Sequence, residues 1–111
     1  MKLIKKLGQN FLNSEDILAR EAVIADVNGK VVLEIGPGDG RLTKELLKQD
    51  PKKIYAVEKD QRFIRLLRDE FEKEKKVVII DGDFLKTKMP EDVEIVVGNI
   101  PYYLSSKIIF R

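Results

Sequence analysis

Apolar residues along this chain follow two patterns that alternate. Short continuous apolar runs predict strands over residues 30–35, 54–58, 77–80 and 93–97. Apolar residues at helical spacing predict helices over about 14–26, 41–49 and 61–75, and a last helix that begins near Ser105. Continuous apolar strands that alternate with helices are typical of an α/β protein with a parallel sheet.

The connections between these strands predict their order in the sheet. Right-handed crossovers place the second strand beside the first and the third beside the second, so both helices cover one face. The fourth strand then returns to the far side of the first strand, which makes the order 3-2-1-4. Its connection, residues 81–92, contains Pro90 and little helical pattern. We therefore expect only the helix near Ser105 to cover the opposite face.

Composition narrows the class of protein. The 111 residues suffice for one domain, with an N-terminal segment and helix (1–29) and a sheet core (30–111). Charged residues make up 36% and hydrophobic residues 43%, as in a soluble folded domain. Cysteine and histidine are absent, which excludes disulfides, the usual zinc sites and acid–base catalysis by histidine. We expect no bound metal, and the net charge of +2 permits an anionic partner.

The same composition bears on location. No apolar run approaches the roughly 18 residues of a membrane-spanning helix, so we expect no membrane partner. Residues 1–7 are too short and too interrupted by charge for a signal peptide. We therefore expect a cytoplasmic protein.

Residues 34–40, which read EIGPGDG, form a glycine-rich turn between the first strand and the next helix. Such a turn brings backbone N–H groups to a nucleotide-like cofactor, although a plain tight turn is the alternative. The spacing is G-x-G-x-G and not the G-x-G-x-x-G of dinucleotide folds. Glu34 is costly to bury at the strand end. It suits the ammonium group of a methionyl moiety, directly or through water, and does not suit a pyrophosphate.

Two further acidic residues follow the next two strands. Glu58 ends the second strand about 20 residues beyond the glycines, where an acid can accept both ribose hydroxyls of an adenosine cofactor; a solvated charge is the alternative. Asp83 follows the third strand and could accept the adenine amino group while Phe84 covers the ring. Asp81 is its rival, and periodicity does not separate them. Three acids repel a phosphate-rich ligand, which favours S-adenosylmethionine over NAD.

Residues 98–102, which read GNIPY, follow the fourth strand. The side-chain oxygen of Asn99, together with a backbone carbonyl of Ile100 or Pro101, could accept the N–H groups of an aromatic amine and direct its lone pair toward a methyl group. Pro101 fixes the turn, and Tyr102 offers a face on which a flipped base can stack. An ordinary strand-ending turn is the alternative. Together with the acids, this segment predicts methyl transfer to an amino nitrogen.

The order of these motifs resembles the rRNA adenine N6-dimethyltransferases, the family of the KsgA-like small-subunit enzymes and the Erm-type large-subunit methylases. The matching segments, spread over essentially the whole chain, are residues 8–12 (GQNFL), 34–40, 58, 82–83 and 98–102. The resemblance implies a Rossmann-like S-adenosylmethionine-dependent methyltransferase fold and dimethylation of adenosine N6 in rRNA, of the small subunit rather than the large. The cofactor-binding residues it implies are Asn10, Leu12, Gly36, Glu58, Asp83 and Asn99, and we add Gln9, Glu34 and Gly38 from the same motifs. The catalytic residues it implies are Asn99, Pro101 and Tyr102. Tyr103 departs from the Asn or His that relatives often carry.

In that family the catalytic domain continues with further strands and a helical RNA-binding domain. The resemblance therefore implies that these 111 residues are the cofactor-binding half, with very weak or absent methyl transfer alone. It also implies an open edge on the fourth strand, and with the bare face this predicts a homo-oligomer. The alternatives are a module that binds S-adenosylmethionine or RNA without turnover, a methyltransferase of another amino substrate and, more distantly, a nicotinamide dehydrogenase.

Overall fold

The computed structural model describes residues 2–5 and 15–98, in which five strands and three helices form one α/β unit. The strands are β1 (Lys2–Lys5), β2 (Val31–Ile35), β3 (Lys53–Glu58), β4 (Val77–Asp81) and β5 (Ile95–Gly98). The helices are α1 (Glu15–Ala25), α2 (Arg41–Lys48) and α3 (Gln61–Glu70). The helix predicted to begin near Ser105 lies outside the described residues.

All five strands belong to one parallel sheet with the order β1-β5-β2-β3-β4. The four predicted strands stand in the predicted order 3-2-1-4, which confirms the crossover argument. The predicted open edge of the fourth strand is wrong, because Lys2–Lys5 pairs along it from Ile95 to Gly98. Four residues are too few to show the alternating polarity of a strand, so Lys2–Lys5 was not predicted as one. What holds β1 in place is the row of backbone donors and acceptors along the edge of β5.

All three helices pack on one face of the sheet. The cluster on this face joins α1, α2 and the strands through the buried side chains of Leu18, Ala22, Ala25, Val27, Val32, Leu42, Leu46, Ile54, Ile95 and Val97. Helix α3 lies on the same side, since Leu67 and the adjoining Phe71 reach the start of α2 at Gly40. The two crossover helices therefore share a face, as predicted.

The opposite face is covered by the connection from β4 to β5. Phe84 packs there with Leu33, Val57 and Val96, and Met89 and Val93 pack around them. Leu33 and Val96 have no exposed surface, so the prediction that only a helix near Ser105 covers this face is wrong. The segment lacks helical periodicity, yet its scattered apolar side chains reach the sheet. The homo-oligomer, which was inferred from a bare face and an open edge, stays a prediction.

The helices are short, and α3 is shorter than predicted. It ends at Glu70 instead of about residue 75, and Phe71 caps it by donating its N–H to the carbonyl of Leu67. Residues 72–76 are all charged, so no apolar side chain continues the buried stripe into another helical turn. None of the helices within residues 15–98 is long and apolar enough to cross a membrane.

Candidate cofactor site

The acidic residues singled out in the sequence lie at one edge of the sheet. Glu34 is the second-last residue of β2 and Glu58 is the last residue of β3, directly opposite Asp81 at the end of β4. The glycine turn leaves β2 at the same edge. Because carboxyl ends of parallel strands meet there, the fold brings the turn and the acids together at the kind of crevice that binds ligands in α/β sheets.

The glycine loop, residues 36–40, has open space on one side and packed helix on the other. Gly36 and Gly38 have φ angles of 63° and 60°, which side chains rarely adopt. A Cβ atom on either would meet nothing within 4 Å, so this part of the loop borders space that a ligand can approach. A Cβ on Gly40, by contrast, would lie 2.9 Å from Cε2 of Phe71. The loop therefore seats against α3 at Gly40 and leaves Gly36 and Gly38 accessible to a cofactor.

Glu58 ties the glycine loop to the end of β3. Its Oε1 accepts the N–H of Gly38 at 3.0 Å, and its Oε2 accepts the N–H groups of Lys59 at 3.1 Å and Asp60 at 3.0 Å. Only 7% of the residue is exposed, so the solvated-charge alternative is excluded. A carboxylate offers about four acceptor positions. Three are occupied here, which leaves capacity for a ligand hydroxyl.

The Glu34 side chain lies on the helical face of the sheet, toward α2. The residue is 1% exposed, and its Oε1 accepts a hydrogen bond from Oγ1 of Thr43, which has no exposed surface. Thr43 belongs to the first turn of α2. Our sequence reasoning missed this residue. Its signal was a polar residue one turn before Leu46 and Leu47, within the buried stripe of the helix.

The structure distinguishes Asp81 from Asp83 by their partners. Asp81 is exposed, and its Oδ1 accepts a hydrogen bond at 2.9 Å from Nε2 of Gln61, a contact that sequence reasoning missed. Asp83 is half-buried and begins a turn, because its Oδ1 accepts the N–H of Leu85 and its carbonyl accepts the N–H and Oγ1 of Thr87. Phe84 is 8% exposed in the sheet cluster, which leaves little of its ring to cover adenine.

The start of α3 adds an ion pair beside Glu58. Asp60 caps the helix, with Oδ1 accepting the N–H of Arg62 at 2.9 Å, and its Oδ2 lies 2.8 Å from Nη2 of the same arginine. The hydrogen bonds from Arg62 lower the pKa of Asp60 from 3.8 to about 2, and the ion pair raises the pKa of Arg62. Asp60 is therefore ionised at neutral pH. The helix start and its pair stabilise the backbone whose N–H groups hold Glu58.

Comparison with known proteins identifies the family. A family model described as "Ribosomal RNA adenine dimethylase" matches residues 1–111. The chain belongs to the ribosomal RNA adenine dimethylase family. It is 44% identical over 114 residues to the ribosomal RNA small subunit methyltransferase A of Pelagibacter ubique, a match that covers 100% of this chain and 43% of that protein.

Solved structures of methyltransferases are also similar to this chain. The 23S rRNA methyltransferase ErmE aligns with a TM-score of 0.73 and 32% identity over 86% of this chain and 39% of that one. TYW2 of M. jannaschii, solved in complex with AdoMet, aligns with a TM-score of 0.63 and 25% identity over 81% of this chain and 41% of that one. Across these comparisons, this member of the dimethylase family spans about two fifths of its relatives' length.

Several site residues expected of a dimethylase lie outside the described residues. They are Gln9, Asn10, Leu12, Asn99, Pro101 and Tyr102. Strand β5 ends at Gly98, opposite Ile35 of β2, so the described chain stops one residue before Asn99 at the same edge as Glu34. The roles of these six residues stay predictions. Within residues 15–98, no cluster of three or more acidic side chains is arranged to hold a metal ion.

Proposed function

We propose that this chain supports S-adenosylmethionine-dependent methyl transfer to the N6 amino group of adenosine in rRNA, and that residues 1–111 supply the cofactor-binding part. The observation that carries the proposal is the glycine loop. Gly36 and Gly38 border open space, while the buried carboxylates of Glu34 and Glu58 flank them at one sheet edge. Family membership supports the rRNA substrate, and the names of the curated relatives favour the small subunit.

The charge of this edge favours S-adenosylmethionine over a dinucleotide. Glu34, Glu58 and Asp83 would repel a pyrophosphate, whereas S-adenosylmethionine carries an ammonium and a sulfonium. Glu58 retains acceptor capacity for a ribose hydroxyl, and Glu34 suits the ammonium, directly or through water. The Asp81 and Asp83 carboxylates each already accept one hydrogen bond, from Gln61 and from Leu85, so we assign Asp83 to the adenine amino group by family resemblance. We assign Gln9, Asn10 and Leu12 to the cofactor by family resemblance.

The acceptor end of the reaction is assigned to residues 99–102. When bound, S-adenosylmethionine supplies an electrophilic methyl group. In our proposal the Asn99 side-chain oxygen and a backbone carbonyl of Ile100 or Pro101 accept the N–H groups of the target amine, while Tyr102 stacks on the base. Accepting both N–H groups makes the amine lone pair more available, so these residues need no histidine base.

Calorimetry and methyl incorporation test the proposal in turn. The chain is titrated with S-adenosylmethionine, S-adenosylhomocysteine and NAD, and we expect the first two to bind and NAD not to bind. Radiolabelled methyl transfer is then measured on small-subunit and large-subunit rRNA. A chain that binds NAD but not S-adenosylmethionine would overturn the cofactor assignment.

The transfer step separates the remaining functions. Labelling of small-subunit rRNA that is lost in Asn99→Ala supports the full proposal, while labelling of large-subunit rRNA alone corrects the substrate. Cofactor binding with very weak or no labelling of either RNA is the outcome expected of the cofactor-binding part alone, and labelling of a different amine identifies another substrate. Because the proposed substrate is ribosomal, we expect a cytoplasmic location. The homo-oligomer also stays a proposal, without the open edge and bare face from which it was inferred.

A further inference from the structure

The buried hydrogen bond between Thr43 and Glu34 spans the glycine loop. Glu34 stands in β2 before the loop and Thr43 stands in α2 after it, nine residues later. Thr43 has no exposed surface, and 1% of Glu34 is exposed. The contact therefore lies within the protein and joins β2 to α2 across the loop.

A buried carboxylate needs donors that set its direction. The glutamate side chain has several rotatable bonds, and a hydrogen bond to an ionised acceptor is about twice as strong as one between neutral groups. The Thr43 hydroxyl is carried on a helix, where branching at Cβ restricts threonine to two main χ1 rotamers. It therefore holds Oε1 of Glu34 in one place relative to the loop.

The two carboxylates that flank the loop are held in different ways. Glu58 is held by three backbone N–H groups, which a substitution of those residues leaves in place. Glu34 accepts a hydrogen bond from the Thr43 side chain, which a substitution can remove while the loop stays intact. The direction of Glu34 can thus be changed separately from that of Glu58.

We propose that Thr43 is a positioning residue for the amino-acid end of S-adenosylmethionine and acts through Glu34. This inference rests on the proposed function, in which Glu34 interacts with the methionyl ammonium, directly or through water. Thr43 does not itself touch the ligand. Its hydroxyl directs the Glu34 carboxylate, so its loss affects only ligands that carry the ammonium group.

Ligands with and without that group test the inference. S-adenosylhomocysteine carries the amino-acid moiety, and 5′-methylthioadenosine has the same nucleoside without it. Thr43→Val keeps the volume and removes the hydroxyl. We expect it to weaken S-adenosylhomocysteine binding by about tenfold, because a misdirected Glu34 loses one hydrogen bond to the charged ammonium. We expect 5′-methylthioadenosine binding to stay at the wild-type value, and Thr43→Ser to restore the affinity for S-adenosylhomocysteine.

Matched variants separate positioning from a purely structural role. Glu34→Gln should show the same selective loss, and adding Thr43→Val to it should cause little further loss. Should Thr43→Val fail to fold, Thr43→Cys carries the same expectation with a weaker donor. The role of Thr43 would be overturned if Thr43→Val weakened the binding of both ligands equally, or changed the affinity for neither. A wild-type chain that binds neither ligand would overturn the proposed function and this inference with it.

Discussion

Replacing Glu58 with alanine removes the most connected carboxylate of the site. The backbone N–H groups of Gly38, Lys59 and Asp60 would lose their acceptor together. Each such bond contributes about 1 kcal/mol net. Water can reach the exposed turn at Lys59 more easily than the half-buried Gly38, so we expect the free energy of unfolding to fall by about 2 kcal/mol rather than the full sum.

Urea unfolding and calorimetry measure the two consequences of this change. We expect Glu58→Ala to shift the urea midpoint downward and to weaken S-adenosylhomocysteine binding by at least about tenfold, since the ribose acceptor is lost as well. Glu58→Gln has one acceptor oxygen instead of two. It can serve either Gly38 or the pair at Lys59 and Asp60, so its stability should fall between those of the wild type and Glu58→Ala.

Glu94→Ala provides the matched control at the opposite edge of the sheet. Oε1 of Glu94 accepts the N–H of Val31 at 3.1 Å, so its loss removes one bond. We expect at most about 1 kcal/mol of destabilisation and unchanged cofactor affinity. A Glu58→Ala variant as stable as the wild type would refute the claim that the Glu58 hydrogen bonds stabilise the glycine loop. A destabilised variant that binds S-adenosylhomocysteine normally would refute the ribose assignment alone.

Three further predictions address packing, pH and assembly. Gly40→Ala should lower the thermal midpoint more than Gly29→Ala, because both have positive φ but only the first adds a contact at 2.9 Å to Phe71; equal losses would contradict the packing argument. The depressed pKa of Asp60 stabilises the fold above pH 3.8, and this contribution is lost as the pH falls through about 2. The stability difference between wild type and Asp60→Asn should therefore shrink across that window, whereas a constant difference would contradict the ion pair. Light scattering at micromolar concentration tests the homo-oligomer, which was inferred from an edge and a face that β1 and Phe84 cover; a stable folded monomer would end that prediction.

The outline of the site could be predicted because its parts are local in the sequence. The glycine spacing, the acids at Glu34 and Glu58, and the strand boundaries all follow from short patterns of polarity. The handedness of crossovers then orders four strands and brings those acids to one edge. None of these steps requires knowledge of a side-chain contact.

The tertiary structure decided what the residues do to one another. Glu58 accepts from Gly38, 20 residues away, Thr43 donates to Glu34, nine residues away, and the segment Lys2–Lys5 pairs with a strand more than 90 residues later. A polarity pattern reports which face of an element is buried, but it does not report which group on another element comes within hydrogen-bonding distance. The sequence thus determined most of the elements, the order of four strands and the edge of the sheet that carries the candidate site residues. Long-range packing determined which groups donate hydrogen bonds to the carboxylates and which segment covers the second face of the sheet.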